Sequence, residues 1–401
     1  MRLIRTLALI GGGLALASTA STGTVWAADK PTCNLKAANA KSAGTGCARA
    51  WMDANLHLND LMTVGTHNSY KQAISPKIFA MVLAAAPKAG LGLDYHHPTL
   101  DAQLDDGARG LELDVAYDPK GGLFAHPVGP KLAGETVSDA YVAAMSKPGF
   151  KVMHVQDIDF RSSCITFVEC LGIIRDWSDA HPDHTPILIT INAKDDTSPA
   201  PGGTPALKYD TAAYDALDAE IASVMTPGKY LITPDMIQGK WPTLRDAVTH
   251  GAWPTLGDSR GKFLIALDED PPKVAVYRGA RRSLEGRMMF IYTDEHNPAS
   301  AYITLNEAAD APRITAAVKA GFLVRTRADA DTVEARSNDT HRRTITLASG
   351  AQYVSTDYRH PEARFSDYQV RLPDGAITVC NPQRAPERCA GLTVEPDPDG
   401  H

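Results

Sequence analysis

The feature that most constrains the fold is a recurring event: an apolar, β-branched run that breaks off at ionisable residues. Leu61-Met62-Thr63-Val64-Gly65-Thr66 runs into His67-Asn68, and Pro186-Ile187-Leu188-Ile189-Thr190-Ile191 runs into Asn192, with Lys194 and Asp195 just beyond. Comparable segments lie at 109–115, 150–155, 263–268, 288–293, 321–325 and 352–356, with Leu231-Ile232 as a minor extra piece. Short apolar runs of this kind read as strands buried on both faces. Helical patterns fall between them, near 78–86, 101–106, 164–180, 214–224, 307–319 and 331–347, with a turn at 90–94. Eight such strands alternating with helices or long loops predict an α/β chain folded as a single-domain, distorted (β/α)8 TIM-like barrel. A doubly wound open sheet is the alternative, weakened because no Gly-rich phosphate loop follows the first strand.

The ends of the chain set its compartment. Arg2 and Arg5 precede an apolar stretch from Leu7 to Ala20, and Val25-Trp26-Ala27 offers a small-residue cleavage site. This pattern predicts a signal peptide over 1–27, with the mature chain spanning 28–401 and working in a secreted or periplasmic setting. The formal charge of −7 becomes −9 once those two arginines leave. No basic tract remains to serve as a nucleic-acid footprint. Six cysteines fall into close pairs, Cys33 with Cys47, Cys164 with Cys170 and Cys380 with Cys389, which favours three local disulfides over zinc ligation.

In a parallel barrel the chemistry gathers where strands end. The strand ends here supply His67-Asn68, Glu112 with Asp114, His154 with Asp157, Asn192 with Lys194, Asp268, Arg325 with Arg327, and Asp357-Tyr358. Glu112 and Asp114 share one face of a strand, two residues apart. Two such carboxylates repel unless a cation lies between them, and a salt bridge to Arg109 or another arginine is the competing arrangement. Oxygen donors of this kind suit Ca²⁺, with Mg²⁺ less suited. His67 and His154 fit a proton-transfer pair, with Glu112 as a possible base; His126, in a Gly-rich turn, competes with His154. Lys194 and Arg325 are candidates for phosphate or sugar oxygens, and Asp357 and Tyr358 for further substrate contacts.

At these residues the chain resembles the calcium-dependent phosphoinositide-specific phospholipase C family of secreted bacterial proteins. The resemblance runs through Thr66-His67-Asn68-Ser69-Tyr70, Arg109-Gly110-Leu111-Glu112-Leu113-Asp114, Lys151-Val152-Met153-His154 with Gln156-Asp157, Arg325-Thr326-Arg327-Ala328-Asp329 and Tyr353 to Tyr358. It implies a barrel that cleaves the glycerophosphoryl–inositol bond of phosphatidylinositol. The sugar's own 2-hydroxyl attacks, giving diacylglycerol and a cyclic inositol phosphate. By position it assigns His67 and His154 as the two histidines, and Asn68, Glu112, Asp114 and Asn192 as metal ligands. His154 is then the acid, and His67 stabilises phosphoryl oxygens or shares the proton transfer. Asn192 departs from the glutamate commonly found there, which opens the ligand role to Asp195 or Asp157. The expected partner is a phospholipid or inositol phosphodiester, met by a monomer through transient membrane contact over 75–98.

Two other functions remain open at the level of sequence. A glycerophosphodiester phosphodiesterase uses a similar barrel, although it usually shows His-Arg-Gly where this chain has His67-Asn68-Ser69. A non-catalytic barrel holding inositol phosphate or calcium is the other. A glycosidase is disfavoured, since Glu112 and Asp114 are too close along one strand to flank a sugar bond.

Overall fold

The computed structural model describes residues 32–400, so the expected leader and its cleavage point lie outside the described residues. Eleven strands are present: β1 Leu61–Thr66, β2 Gly110–Ala116, β3 Lys151–Val152, β4 Ile187–Lys194, β5 Phe263–Leu267, β6 Phe290–Ile291, β7 Tyr302–Thr304, β8 Leu323–Arg327, β9 Tyr353–Thr356, β10 Thr378–Cys380 and β11 Thr393–Glu395. They form two sheets, ordered β11-β10-β1-β9-β8-β7 and β3-β2-β4-β5-β6. Within these, β1, β2 and β4 to β9 are mutually parallel neighbours. The two half-barrels meet at two seams. At one, the Arg109 amide donates to Val64 O at 3.2 Å and the Ser69 amide to Glu112 O at 3.0 Å. At the other, Tyr292 bridges Tyr302 in parallel. The result is the expected ring of eight staves, distorted by two weak joints.

Gly65 explains how β1 and β2 come so close. A Cβ at position 65 would stand 2.2 Å from Gly110 O, a backbone atom that cannot yield. All residues of β1, β2 and β5 are buried, as strands wrapped by helices must be. Among the helices, Phe167–Ala180 starts at a capping box in which Thr166 and Glu169 satisfy each other's backbone amides. It lays Phe167, Cys170, Leu171 and Ile174 on the main core.

Three expectations need correction. The segment 150–155 is not a stave: only Lys151–Val152 is extended, and it pairs antiparallel with β2 through Val115–Val152 and Ala116–Lys151. Lys151 is fully buried, its ammonium given to Lys147 O, Gly149 O and Asp118, so it anchors a turn outside the ring. The missing stave is β7, whose Tyr302-Ile303-Thr304 is too short to stand out by pattern. The turn expected at 90–94 is largely the end of a helix, Pro87–Gly92, opened by a proline at its first position. The helical stretch near 331–347 is two helices, Val333–Ser337 and His341–Ser349, separated at Asn338 by a left-handed backbone (φ 54°).

The expected disulfides are all formed: Cys33–Cys47, Cys164–Cys170 and Cys380–Cys389. The C-terminal arm is part of the barrel's frame, since β10 pairs antiparallel with β1 from Leu61–Cys380 to Thr63–Thr378. No helix among the described residues is long and apolar enough to cross a membrane.

Candidate active site

Because the staves run parallel, their C-terminal ends open on one side, and the predicted polar residues gather there. His67 follows β1. Its Nδ1 lies 2.8 Å from Asp357 Oδ1, at the end of β9, while Arg327 from β8 donates to its Nε2 at 3.3 Å and to Asp357 Oδ2 at 3.0 Å. Since Arg327 can only donate, a neutral His67 ring carries its proton on Nδ1, toward Asp357, and accepts the Arg327 N–H on Nε2. Burial raises the Asp357 carboxyl, but His67 and Arg327 outweigh it and hold it well below the usual carboxylate range. Asp329, buried behind it, is pushed up by burial and by Asp357's charge, and accepts from the Asp357 amide and the Thr356 hydroxyl. His97, kept neutral by burial and lowered to about 4, donates through Nε2 to His67 O at 2.8 Å. The His67 imidazole is thus fixed at both ring and backbone.

His154 reaches the same opening by another route. The Met153 amide donates to Asp114 O at 3.2 Å, which ties the turn after β3 to β2. His154 Nδ1 lies 2.7 Å from Asp159 Oδ2, and Lys71, fully buried, pairs with Asp159 Oδ1 at 3.2 Å. His67 and His154 line one cavity of about 750 Å³, walled by the Pro87–Gly92 helix. His126 is exposed and away from this cavity, so His154 is the second histidine the structure brings in.

The acid pair faces inward as expected. Glu112 and Asp114 pair in register with Thr190 and Asn192 of β4. One atom, Asn192 Nδ2, donates to Glu112 Oε1 at 2.9 Å and to Asp114 Oδ1 at 3.1 Å. Arg325, from β8, donates to Glu112 Oε2; Arg109 is elsewhere, bonded through Nε to Glu395 at 3.0 Å. Lys194 Nζ stands 3.3 Å from Asp114 Oδ2. Burial raises Asp114, yet Lys194, His154 and the Asn192 hydrogen bond together outweigh it and lower the carboxyl below its ordinary value. His67 Nε2 is 3.5 Å from Glu112 Oε1, which joins the acid pair to the first histidine.

Other candidates are placed differently. Asn68 is buried in a left-handed conformation (φ 46°), donates to Tyr95 OH at 2.7 Å, and accepts weakly from Tyr70 OH, whose titration feels both Asp114 and Glu112. Asp157 is consumed by the amides of Val128 and Thr204, and Asp195 by Lys273 and Lys208, so neither stands in for Asn192. Tyr358 is buried edge-on to Phe365 and Tyr368, outside the cavities that hold His67. Asp357, expected to touch substrate, is the carboxylate that holds His67 Nδ1. Sequence reasoning missed Asp159, Tyr95 and His97 as supports; only Asp159, five residues after His154, left a trace in the pattern.

A second cavity, of about 310 Å³, opens on the other side of His67 and is lined by Glu112, Asn192, Asp268, Glu269, Asn306 and Arg325 among others. Arg325 is spoken for there, donating to Asn306 Oδ1 at 2.8 Å as well as to Glu112. No three His, Cys, Asp or Glu side chains among the described residues are placed to hold a metal. The donor set is instead two carboxylates and two amides, all oxygen donors. Donors of this kind, from Glu112, Asp114, Asn192 and Asn68, are the ones that would suit a hard cation.

A parallel barrel whose mouth carries two aspartate-held histidines and a converging acid pair defines a phosphodiesterase-type site. Residues 56–382 match the family model described as phosphoinositide phospholipase C, Ca²⁺-dependent. The chain belongs to this family of phosphodiesterases, whose cofactor is calcium. Among solved structures, it is similar to a calcium-dependent phosphoinositol-specific phospholipase C from a Pseudomonas species in a myoinositol complex, at 19% identity and a TM-score of 0.50, covering 81% of this chain and 96% of that one. A second crystal form from Pseudomonas gives 17% identity and a TM-score of 0.51, covering 82% of this chain and 96% of that one. A calcium-dependent phosphatidylinositol-specific phospholipase C from Streptomyces antibioticus is similar at 20% identity and a TM-score of 0.46, covering 75% of this chain and 95% of that one. No curated protein matches the chain.

Proposed function

We propose that this protein cleaves phosphatidylinositol at the glycerophosphoryl bond by intramolecular attack of the inositol 2-hydroxyl, releasing diacylglycerol and a cyclic inositol phosphate. The observation that carries this reading is the pair of histidines at one opening, each with Nδ1 against a buried aspartate. A proton must leave the attacking hydroxyl and another must reach the departing glycerol oxygen, and two oriented imidazoles meet both needs without a covalent intermediate. His67 takes the hydroxyl proton on Nε2, in exchange for its contact with Arg327, and Asp357 stabilises the imidazolium that results. His154, steadied by Asp159, donates to the leaving alkoxide. Arg327, beside His67, supplies fixed positive charge toward the phosphoryl oxygens. Calcium, when bound, neutralises phosphate charge and acidifies a hydroxyl it contacts.

The two cavities suggest the substrate's orientation. The acid-lined side, with Asp268, Glu269 and Asn306, offers acceptors to ring hydroxyls and repels ring phosphates, which favours an inositol without further phosphorylation. The larger side leads past the helices Pro76–Ala85 and Pro87–Gly92, where Met81 and Leu91 are exposed and Ile78 is buried in the core. Those two exposed side chains are the membrane contact we assign within 75–98. The three disulfides suit an exported enzyme, acting as a monomer.

The test is a substrate panel of phosphatidylinositol, its 4,5-bisphosphate and glycerophosphodiesters, with calcium or chelator. Hydrolysis of phosphatidylinositol alone, abolished by chelator and by His67→Ala, is the expected result. Preference for glycerophosphodiesters, or binding without product, would overturn the reading.

A further inference from the structure

The charges around the acid pair are already balanced before any metal arrives. Glu112 and Asp114 contribute two negative charges, and Arg325 and Lys194 contact them with two positive ones. Each carboxylate oxygen is engaged: Glu112 Oε1 by Asn192, Glu112 Oε2 by Arg325, Asp114 Oδ1 by Asn192 and Asp114 Oδ2 by Lys194. A divalent ion entering here therefore meets a neutral cluster unless one resident cation withdraws.

The two cations differ in how readily they can. Arg325 is 4% exposed and fixed by Glu112 and Asn306, with Asp268 3.8 Å away. Withdrawing it would strand a buried carboxylate. Lys194 is 23% exposed, and Asp114 is the side chain within its ion-pairing reach. It ends a flexible four-carbon stem, so its ammonium can move to water at small cost. It also follows Asn192 by two residues on β4, so both side chains stand on the face that looks at the acid pair.

We infer that Lys194 is a tethered cation that calcium must displace from Asp114, so that this one side chain sets the protein's affinity for the ion. The inference rests on the reading of Glu112, Asp114 and Asn192 as the calcium site. It assigns Lys194 a role other than holding substrate: in the calcium-free protein it preserves the acid pair against its own repulsion, and in the loaded protein it points away.

The test is calcium binding by isothermal titration calorimetry on wild type, Lys194→Met, Lys194→Arg and Asp114→Asn, with no substrate present. Removing a positive charge a few ångströms from a divalent ion should tighten Lys194→Met by about tenfold or more, while Lys194→Arg stays near wild type and Asp114→Asn loses binding. Equal affinity in wild type and Lys194→Met, with Asp114→Asn still impaired, would overturn the tethered-cation role and leave the site reading intact. Undiminished binding by Asp114→Asn, or no binding by any variant, would overturn both. A second measurement needs no variant: amine-reactive labelling of wild type, mapped by mass spectrometry, should show Lys194 more reactive when calcium is added. Protection, or no change, counts against displacement.

Discussion

In the proposed mechanism Asp357 has no bond to break, yet the proton chemistry depends on it. It fixes the tautomer of His67 and stabilises the imidazolium, so Asp357→Asn should lower kcat by about 10²–10⁴-fold with far less change in KM. Steady-state kinetics on a soluble inositol phosphodiester would check this, and an unchanged kcat would exclude the dyad. Arg325 acts on stability. Its guanidinium is the buried partner of Glu112, so Arg325→Met should cost about 3–5 kcal/mol in denaturant unfolding, because a carboxylate is left uncompensated. His67 was legible because an apolar strand breaks off beside it, Glu112 and Asp114 because they share one face of β2, and His154 because it follows an apolar run, though that run is extended only at Lys151–Val152. The supports were not. Tyr95 and His97 lie in an irregular rim segment, and nothing in their spacing says that Asn68 donates to the Tyr95 hydroxyl or that His97 donates to His67 O.

At the scale of elements, the joint between β1 and β2 decides whether His67 and Glu112 meet. A Cβ at 65 would strike Gly110 O at 2.2 Å, whereas one at 110 would find Gly65 Cα at an ordinary 3.5 Å. Gly65→Ala should therefore destabilise by about 1–3 kcal/mol or more and reduce turnover, while Gly110→Ala stays close to wild type. The turn before β3 carries a pH signature. Glu220 accepts from the Phe150 amide at 3.1 Å, and burial raises its carboxyl from 4.5 to about 6. Folding thus favours its protonated form. Its contribution is fully present below about pH 4.5, is lost as pH rises toward 6, and is level above that. Glu220→Gln should gain in Tm over wild type across that window and hold the gain to pH 8; a gap independent of pH would contradict it. This corner is also where the sequence misled. The 150–155 run is apolar enough for a stave, yet Lys151 and its carbonyl partners turn it into an antiparallel edge, while β7 is only three residues long. Length and hydrophobicity cannot separate those two cases, because the neighbour that accepts each strand is set by tertiary packing.

For the whole molecule, a two-part ring closed by weak seams places polar and charged side chains from β1, β2, β4, β8 and β9 at one mouth. The C-terminal arm braces the first stave from outside. The class of barrel was legible from strands alternating with helices, whereas the division into halves was not, because it depends on two backbone joints. Membrane contact belongs to this scale too: Met81→Ser with Leu91→Ser should slow hydrolysis of vesicles and spare a soluble substrate, and equal slowing of both would place the contact elsewhere. In the proposed reaction the substrate's own hydroxyl performs the attack. That step is tested most directly by following phosphatidylinositol hydrolysis in real time by phosphorus-31 NMR with calcium present. A cyclic inositol phosphate resonance should appear first, and any open monophosphate should grow only at its expense. Open inositol phosphate as the initial product, with no cyclic species at early times, would contradict it.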